Sequence, residues 1–127
     1  MLIATLIALL FLGSGANFML DGLDQTKDNV KHQISDDSVR EAALDVVKRL
    51  EDTAKDYAKA DGKDEKALLK LIQDFDSSAA EVKANMDASF QQRLAYQKEM
   101  IALRFELKDK LSREQWAKVF PEGKATK

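Results

Sequence analysis

From Lys63 to Phe120 the chain contains neither glycine nor proline, and between Asp24 and Lys63 the only residue of either kind is Gly62. Those two residues are the usual interruptions of a helix, so a stretch this poor in them favours long helices. Ala, Leu, Lys, Glu and Gln fill much of the interior, and all are good helix formers. A β-protein would show recurrent turn signals and runs of period two, and neither is present. The reading is an all-α fold.

The other strong constraint is at the N-terminus. Residues 1–20, MLIATLIALLFLGSGANFML, carry no ionisable side chain and one strongly polar amide, Asn17. At about 1.5 Å per residue, a helix of this length approaches the ~30 Å of a bilayer's hydrocarbon core. The segment therefore reads as a transmembrane anchor. The competing reading is a cleavable signal peptide, with Leu2 to Leu12 as its apolar region and a cut near Ala16 after the small residues Ser14 and Gly15. Gly13, Ser14, Gly15 and Ala16 also suit close packing against another membrane helix. Phe18, Met19 and Leu20 prolong the apolar run past the cut and favour the anchor. Both readings export the rest of the chain, and the bias of positive charge toward the cytoplasm places the bulk outside it.

After residue 20 the periodicity is helical throughout. Leu20, Leu23, Val30 and Ile34 fall at heptad-like spacing, which predicts an amphipathic stalk over 21–34. A new helix is expected to begin beyond Ile34, capped by Ser35 with Ile34 and Val39 as a hydrophobic staple, or by Ser38 with Glu41 as a capping box. Asp36 and Asp37 would oppose its positive end. Its inward face reads Val39, Ala43, Val46, Leu50, Thr53 and Tyr57, and Gly62 is the expected C-terminal cap. The next helix is expected from about Asp64 to about Leu111, beginning with Leu68, Leu71, Ile72, Phe75, Ala79 and Val82 on one face. The sequence allows a kink of that helix near Ser77-Ser78 or Asn85, although no breaker compels one. Together these elements predict a helical hairpin or three-helix, coiled-coil-like bundle over 35–120 and a polar tail over 121–127.

The second half of that long helix carries two apolar lines. Phe90, Leu94, Ile101 and Phe105 run beside Tyr96, Met100, Leu103 and Leu107, a width that asks for more than one partner. Phe90, Leu94, Ile101, Phe105 and Leu107 are therefore the candidate interaction surface, to be covered by the stalk or by a second chain.

Composition narrows the function. The 20 basic and 22 acidic residues give a net charge of -2, with no basic excess of the kind that binds nucleic acid. Cysteine is absent and His32 is the single histidine, which excludes thiolate chemistry and imidazole clusters. His32 itself, between Lys31 and Gln33, reads as a solvated surface residue. The neighbouring carboxylates Glu51/Asp52, Asp36/Asp37 and Asp74/Asp76 do not face each other on a helix and read as caps or solvated faces. No catalytic residue, cofactor, metal site or small-molecule substrate is expected.

One local string stands out, Leu111-Ser112-Arg113-Glu114-Gln115-Trp116. Ser112 can cap a short final helix while Gln115 reaches back to the Ser112 amide, and Trp116, Val119 and Phe120 would then fold onto the bundle before Pro121. The first five residues resemble the L-T-x-x-Q signature of a family of small helical periplasmic stress chaperones and metal-resistance proteins, with Ser in place of Thr. That resemblance implies an exported, periplasmic, chaperone-like or metal-stress protein. The residues read without it imply a membrane-tethered, non-enzymatic helical interaction or scaffold protein facing the extracytoplasmic side. Its partners are then the membrane and a protein or a second copy of itself.

Overall fold

The computed structural model describes residues 14–121, and every regular element in that range is a helix. They are α1 (Ser14–Gln33), α2 (Asp37–Gln73), α3 (Ala79–Lys110) and α4 (Arg113–Val119). α2 is the central helix: α1 packs against one flank, α3 returns antiparallel along another, and α4 folds back onto α1. Among the described residues no helix is long and apolar enough to cross a membrane. Residues 1–13, most of the expected anchor, lie outside the described residues, as does the tail after Pro121.

Leu23, Val30 and Ile34 are all buried against α2, so the heptad line from Leu20 marks a packing face. Thr26 is buried on the same helix and satisfies its hydroxyl by donating to the Gly22 carbonyl one turn earlier, at 2.9 Å. α1 runs without interruption across the expected boundary between residues 20 and 21.

The cap of α2 is neither Ser35 nor Ser38. Asp36 takes that place, its carboxylate accepting from the Val39 amide at 3.1 Å. A carboxylate has two acceptor oxygens and a full charge to set against the positive helix end, so it outcompetes the neighbouring hydroxyls. Arg40 then reaches back and donates to the Ile34 carbonyl at 3.0 Å, which ties the end of α1 to the start of α2.

Gly62 does not end the helix. α2 continues through it for 37 residues in all, a rod of about 55 Å at ~1.5 Å per residue. A glycine inside a helix costs about 1 kcal/mol against alanine, which the hydrogen-bonded turns on either side outweigh. The hairpin turn lies instead at Asp74–Ser78, so the expected helix from Asp64 to Leu111 is divided there. Asp74 makes that turn: its side chain accepts from the Asp76 amide at 2.9 Å and its carbonyl from the Ser77 amide at 3.1 Å. Ser78 then opens α3 with a capping box, accepting from the Glu81 amide while its own amide donates to the Glu81 carboxylate.

Because the turn is at Asp74–Ser78, Phe75 stands at the tip, 99% exposed, and Ile72 is 64% exposed. Both were expected in the seam. The buried core collects instead at the opposite end of the hairpin, where α1 and α4 complete it: Leu23, Val30, Ile34, Ala43, Val46, Val47, Leu50, Ala54, Leu103, Leu107, Leu111 and Val119. From Lys55 through Ala102 no residue is buried. The molecule thus has a packed base and a two-helix arm.

At the base the last string behaves as its residues predict. Ser112 accepts from the Gln115 amide at 3.1 Å, and the Ser112 amide donates to the Gln115 side chain at 2.8 Å. The reciprocal cap starts α4, Val119 is buried, and Asn29 of α1 donates to the Val119 carbonyl at 2.9 Å. Ser112→Ala removes the acceptor that holds the first turn of α4. We expect it to lower stability by about 0.5–2 kcal/mol with little loss of total helix, measured by urea unfolding followed by circular dichroism.

Candidate interaction surface

Two contacts set the register of α2 against α3. Tyr57 and Tyr96 stack with ring centroids 4.2 Å apart and 12° between planes, and Arg49 forks onto Glu106, its Nη1 donating to Oε1 at 3.0 Å. Arg49 also donates to Asp45 one turn back, at 3.2 Å. The hydrogen bonds from Arg49 hold the Glu106 carboxyl below its ordinary range, and those to Glu106 hold the guanidinium protonated more firmly still. Both partners remain partly open to solvent, so the pair fixes register more than it adds stability.

This register turns one side of α3 inward and leaves its neighbour open. Tyr96, Met100, Leu103 and Leu107 face the core, and Leu107 is 1% exposed. Leu107 therefore leaves the candidate surface and becomes a core residue. Phe90 and Ile101 are each 58% exposed and Phe105 is 52% exposed, with Leu94 half-buried between them. The stalk does not cover this second line, because α1 sits on α2 and α4 and not along α3. Phe90 with Leu94 and Ile101 with Phe105 step by helical spacing along one side of α3, with Gln97 and Lys98 in the turn between the two pairs.

Sequence reasoning missed the extension of this surface onto the arm. Met86 lengthens the row toward the tip, Leu69 and Ile72 are exposed on the facing helix, and Phe75 is exposed in the turn. The missed signal was Ser78-Ala79-Ala80-Glu81, a capping box of the same form as that at Ser112. Placed correctly, it puts Phe75 outside the seam.

Two concave features border the surface. Between the helices of the arm lies a furrow of about 370 Å³, lined by Asp61, Asp64, Glu65, Asn85 and Arg93 together with Leu68, Met86 and Phe90. Burial raises the Asp61 carboxyl above its ordinary range against the opposing pull of Arg93, and burial with the nearby Asp61 raises Glu65. Oε1 of Glu65 and Oδ1 of Asn85 are enclosed without a hydrogen-bond partner. At the base, a cleft of about 240 Å³ is lined by Arg104, Lys108, Arg113 and Trp116. The Arg104 guanidinium lies 4.7 Å from the Phe105 ring centroid and 5.0 Å from that of Trp116, so it rests on two aromatic faces.

Among the described residues no three His, Cys, Asp or Glu side chains are placed to hold a metal ion, and His32 is exposed on α1. What the arrangement offers is contact area: aromatic and aliphatic side chains on a rigid helix, with charged neighbours. No family model, curated protein or solved structure matches the chain.

Proposed function

We propose that this is a non-enzymatic interaction protein, tethered to a membrane by its apolar N-terminal segment and presenting the open row of α3 to a protein partner on the extracytoplasmic side. The observation that carries the reading is that Phe90, Ile101 and Phe105 are each more than half exposed on a helix whose other apolar line packs against the core through Leu103 and Leu107. Isolated exposed apolar side chains are common, but a row of them at helical spacing marks a contact surface. The uncharged run of residues 1–20 supports the tether.

Exposure of that row in a single chain also favours a second reading, the exported chaperone-like protein that the Leu111–Gln115 string suggests, since unfolded clients are held by such rows. One set of measurements separates the two. The tethered protein stays in the pellet after alkaline carbonate extraction, and a photo-crosslinking residue at Ile101 or Phe105 gives one discrete adduct in the membrane where the same probe at Lys48 gives none. A soluble species beginning at Asn17 overturns the tether, and equal labelling from all three positions overturns the surface. Suppression of client aggregation at equimolar ratio by such a soluble species, abolished by Phe105→Asp with helicity intact, decides for the chaperone.

A further inference from the structure

Along its open side, α3 has the same apolar pattern read in either direction. Gln97 and Lys98 sit at the middle: Leu94 stands three residues before Gln97 and Ile101 three after Lys98, and Phe90 and Phe105 stand at seven. Asp87 and Lys108 close the series at ten residues on either side, with opposite charge. The outward steps are three, four and three, the spacing of a coiled-coil seam. At 3.6 residues per turn the series shares one face, about 140° around the helix from Tyr96, Met100, Leu103 and Leu107. Every member except half-buried Leu94 is exposed.

A face with this symmetry is complementary to itself. Two-fold symmetric contacts use one patch on both copies, so that each residue meets the other member of its pair. We propose that α3 pairs antiparallel with α3 of a second copy of this chain, about a two-fold axis passing between Gln97 and Lys98. Phe90 then meets the partner's Phe105, and Leu94 meets the partner's Ile101. Each copy buries four apolar side chains, two of them phenylalanines, and these supply the affinity.

Charge chooses the orientation. A parallel pair would set Asp87 against Asp87 and Lys108 against Lys108; the antiparallel pair sets each Asp87 against the partner's Lys108. Asp87 already accepts from Lys83 through Oδ2 at 2.6 Å, and the other oxygen of a carboxylate can take a second donor. Charges at the rim of a seam fix register and direction more than they add affinity. At the axis Lys98 is level with the partner's Gln97, and its long stem carries the ammonium out to solvent. With the two-fold axis along the membrane normal, the two N-terminal segments stand at one height, so both copies can be anchored in a single bilayer. The pairing names the occupant of the open row and rests on that surface reading; it does not depend on the tether.

The chain has no cysteine, so introduced ones report without background. In mild detergent, full chains carrying Leu94→Cys, mixed with size-tagged full chains carrying Ile101→Cys, should give a disulfide-linked heterodimer on gentle oxidation. Leu94→Cys alone should not link to itself. In the proposed pair the two copies of residue 94 lie seven residues apart along the axis, about 10 Å at ~1.5 Å per residue, beyond the ~4.4–6.8 Å between Cα atoms that a disulfide spans. Self-linking of Leu94→Cys as readily as the mixture overturns the antiparallel register. Sedimentation equilibrium of the cysteine-free chain supplies the second measurement. Asp87→Lys or Lys108→Asp, both at exposed positions, should weaken self-association about tenfold, and the two together should restore it. Failure of the double variant to recover overturns the pairing. A chain that stays monomeric while a photo-crosslinking residue at Ile101 captures a different protein also overturns it, yet leaves the surface reading standing; a monomer with no adduct ends both.

Discussion

Val46→Asp should abolish the cooperative thermal transition, while Leu71→Asp should leave it nearly where it was. Val46 is fully buried on α2 in the apolar cluster with Leu23, Leu103 and Leu107. A carboxylate placed there is desolvated without a partner, at a cost of several kcal/mol against a typical reserve of about 5–15. Leu71 occupies an equivalent position in the apolar periodicity but lies on the arm, half open to water. A charge at that position can turn toward solvent. Circular dichroism melts of the two variants decide the matter: equal losses would mean that the arm is packed as tightly as the base and would reject the described register.

That contrast also shows what the sequence can and cannot display. Helical period and absence of breakers were enough for the all-α class, for the packing face of α1 and for the fold-back of α4, because each depends on local spacing or a local cap. The hairpin turn was misplaced because glycine is a conspicuous signal with a modest energy, about 1 kcal/mol, while Asp74 and Ser78 make a turn from side-chain hydrogen bonds that leave no gap in the pattern. Moving the turn from Gly62 to Asp74–Ser78 changes which residues of α2 and α3 share a level. It carries Phe75 from the seam to the tip and leaves Ile72 open.

The candidate surface was half legible for a related reason. Two adjacent apolar lines on one helix announce that both are used, but they do not say which faces its own chain. The stack of Tyr57 on Tyr96 and the clasp of Arg49 on Glu106 settle it, and both join residues far apart in sequence. They rotate α3 so that Leu103 and Leu107 enter the core and Ile101 and Phe105 do not. No property of those four side chains taken alone distinguishes them.

The same rotation yields the second large effect. Leu107→Ala should destabilise the protein by about 2–5 kcal/mol, the range for removing a leucine side chain from a close-packed interior and leaving a cavity. Leu107 is 1% exposed and among the largest fully buried side chains, in the cluster where α3 meets the rest of the base, so little of the void can be filled by relaxation. Phe105, two residues earlier and larger, should give the opposite pattern. It is 52% exposed and rests against Arg104, so Phe105→Asp should change stability by under about 0.5 kcal/mol, as surface replacements usually do. Its effect should appear in partner contact, where Leu107→Ala should have none beyond its loss of fold. Urea unfolding of both variants, read beside photo-crosslinking from Ile101, separates the two roles. If Phe105→Asp proved the more destabilising, the open row would be core and the proposed interaction surface would have to be abandoned.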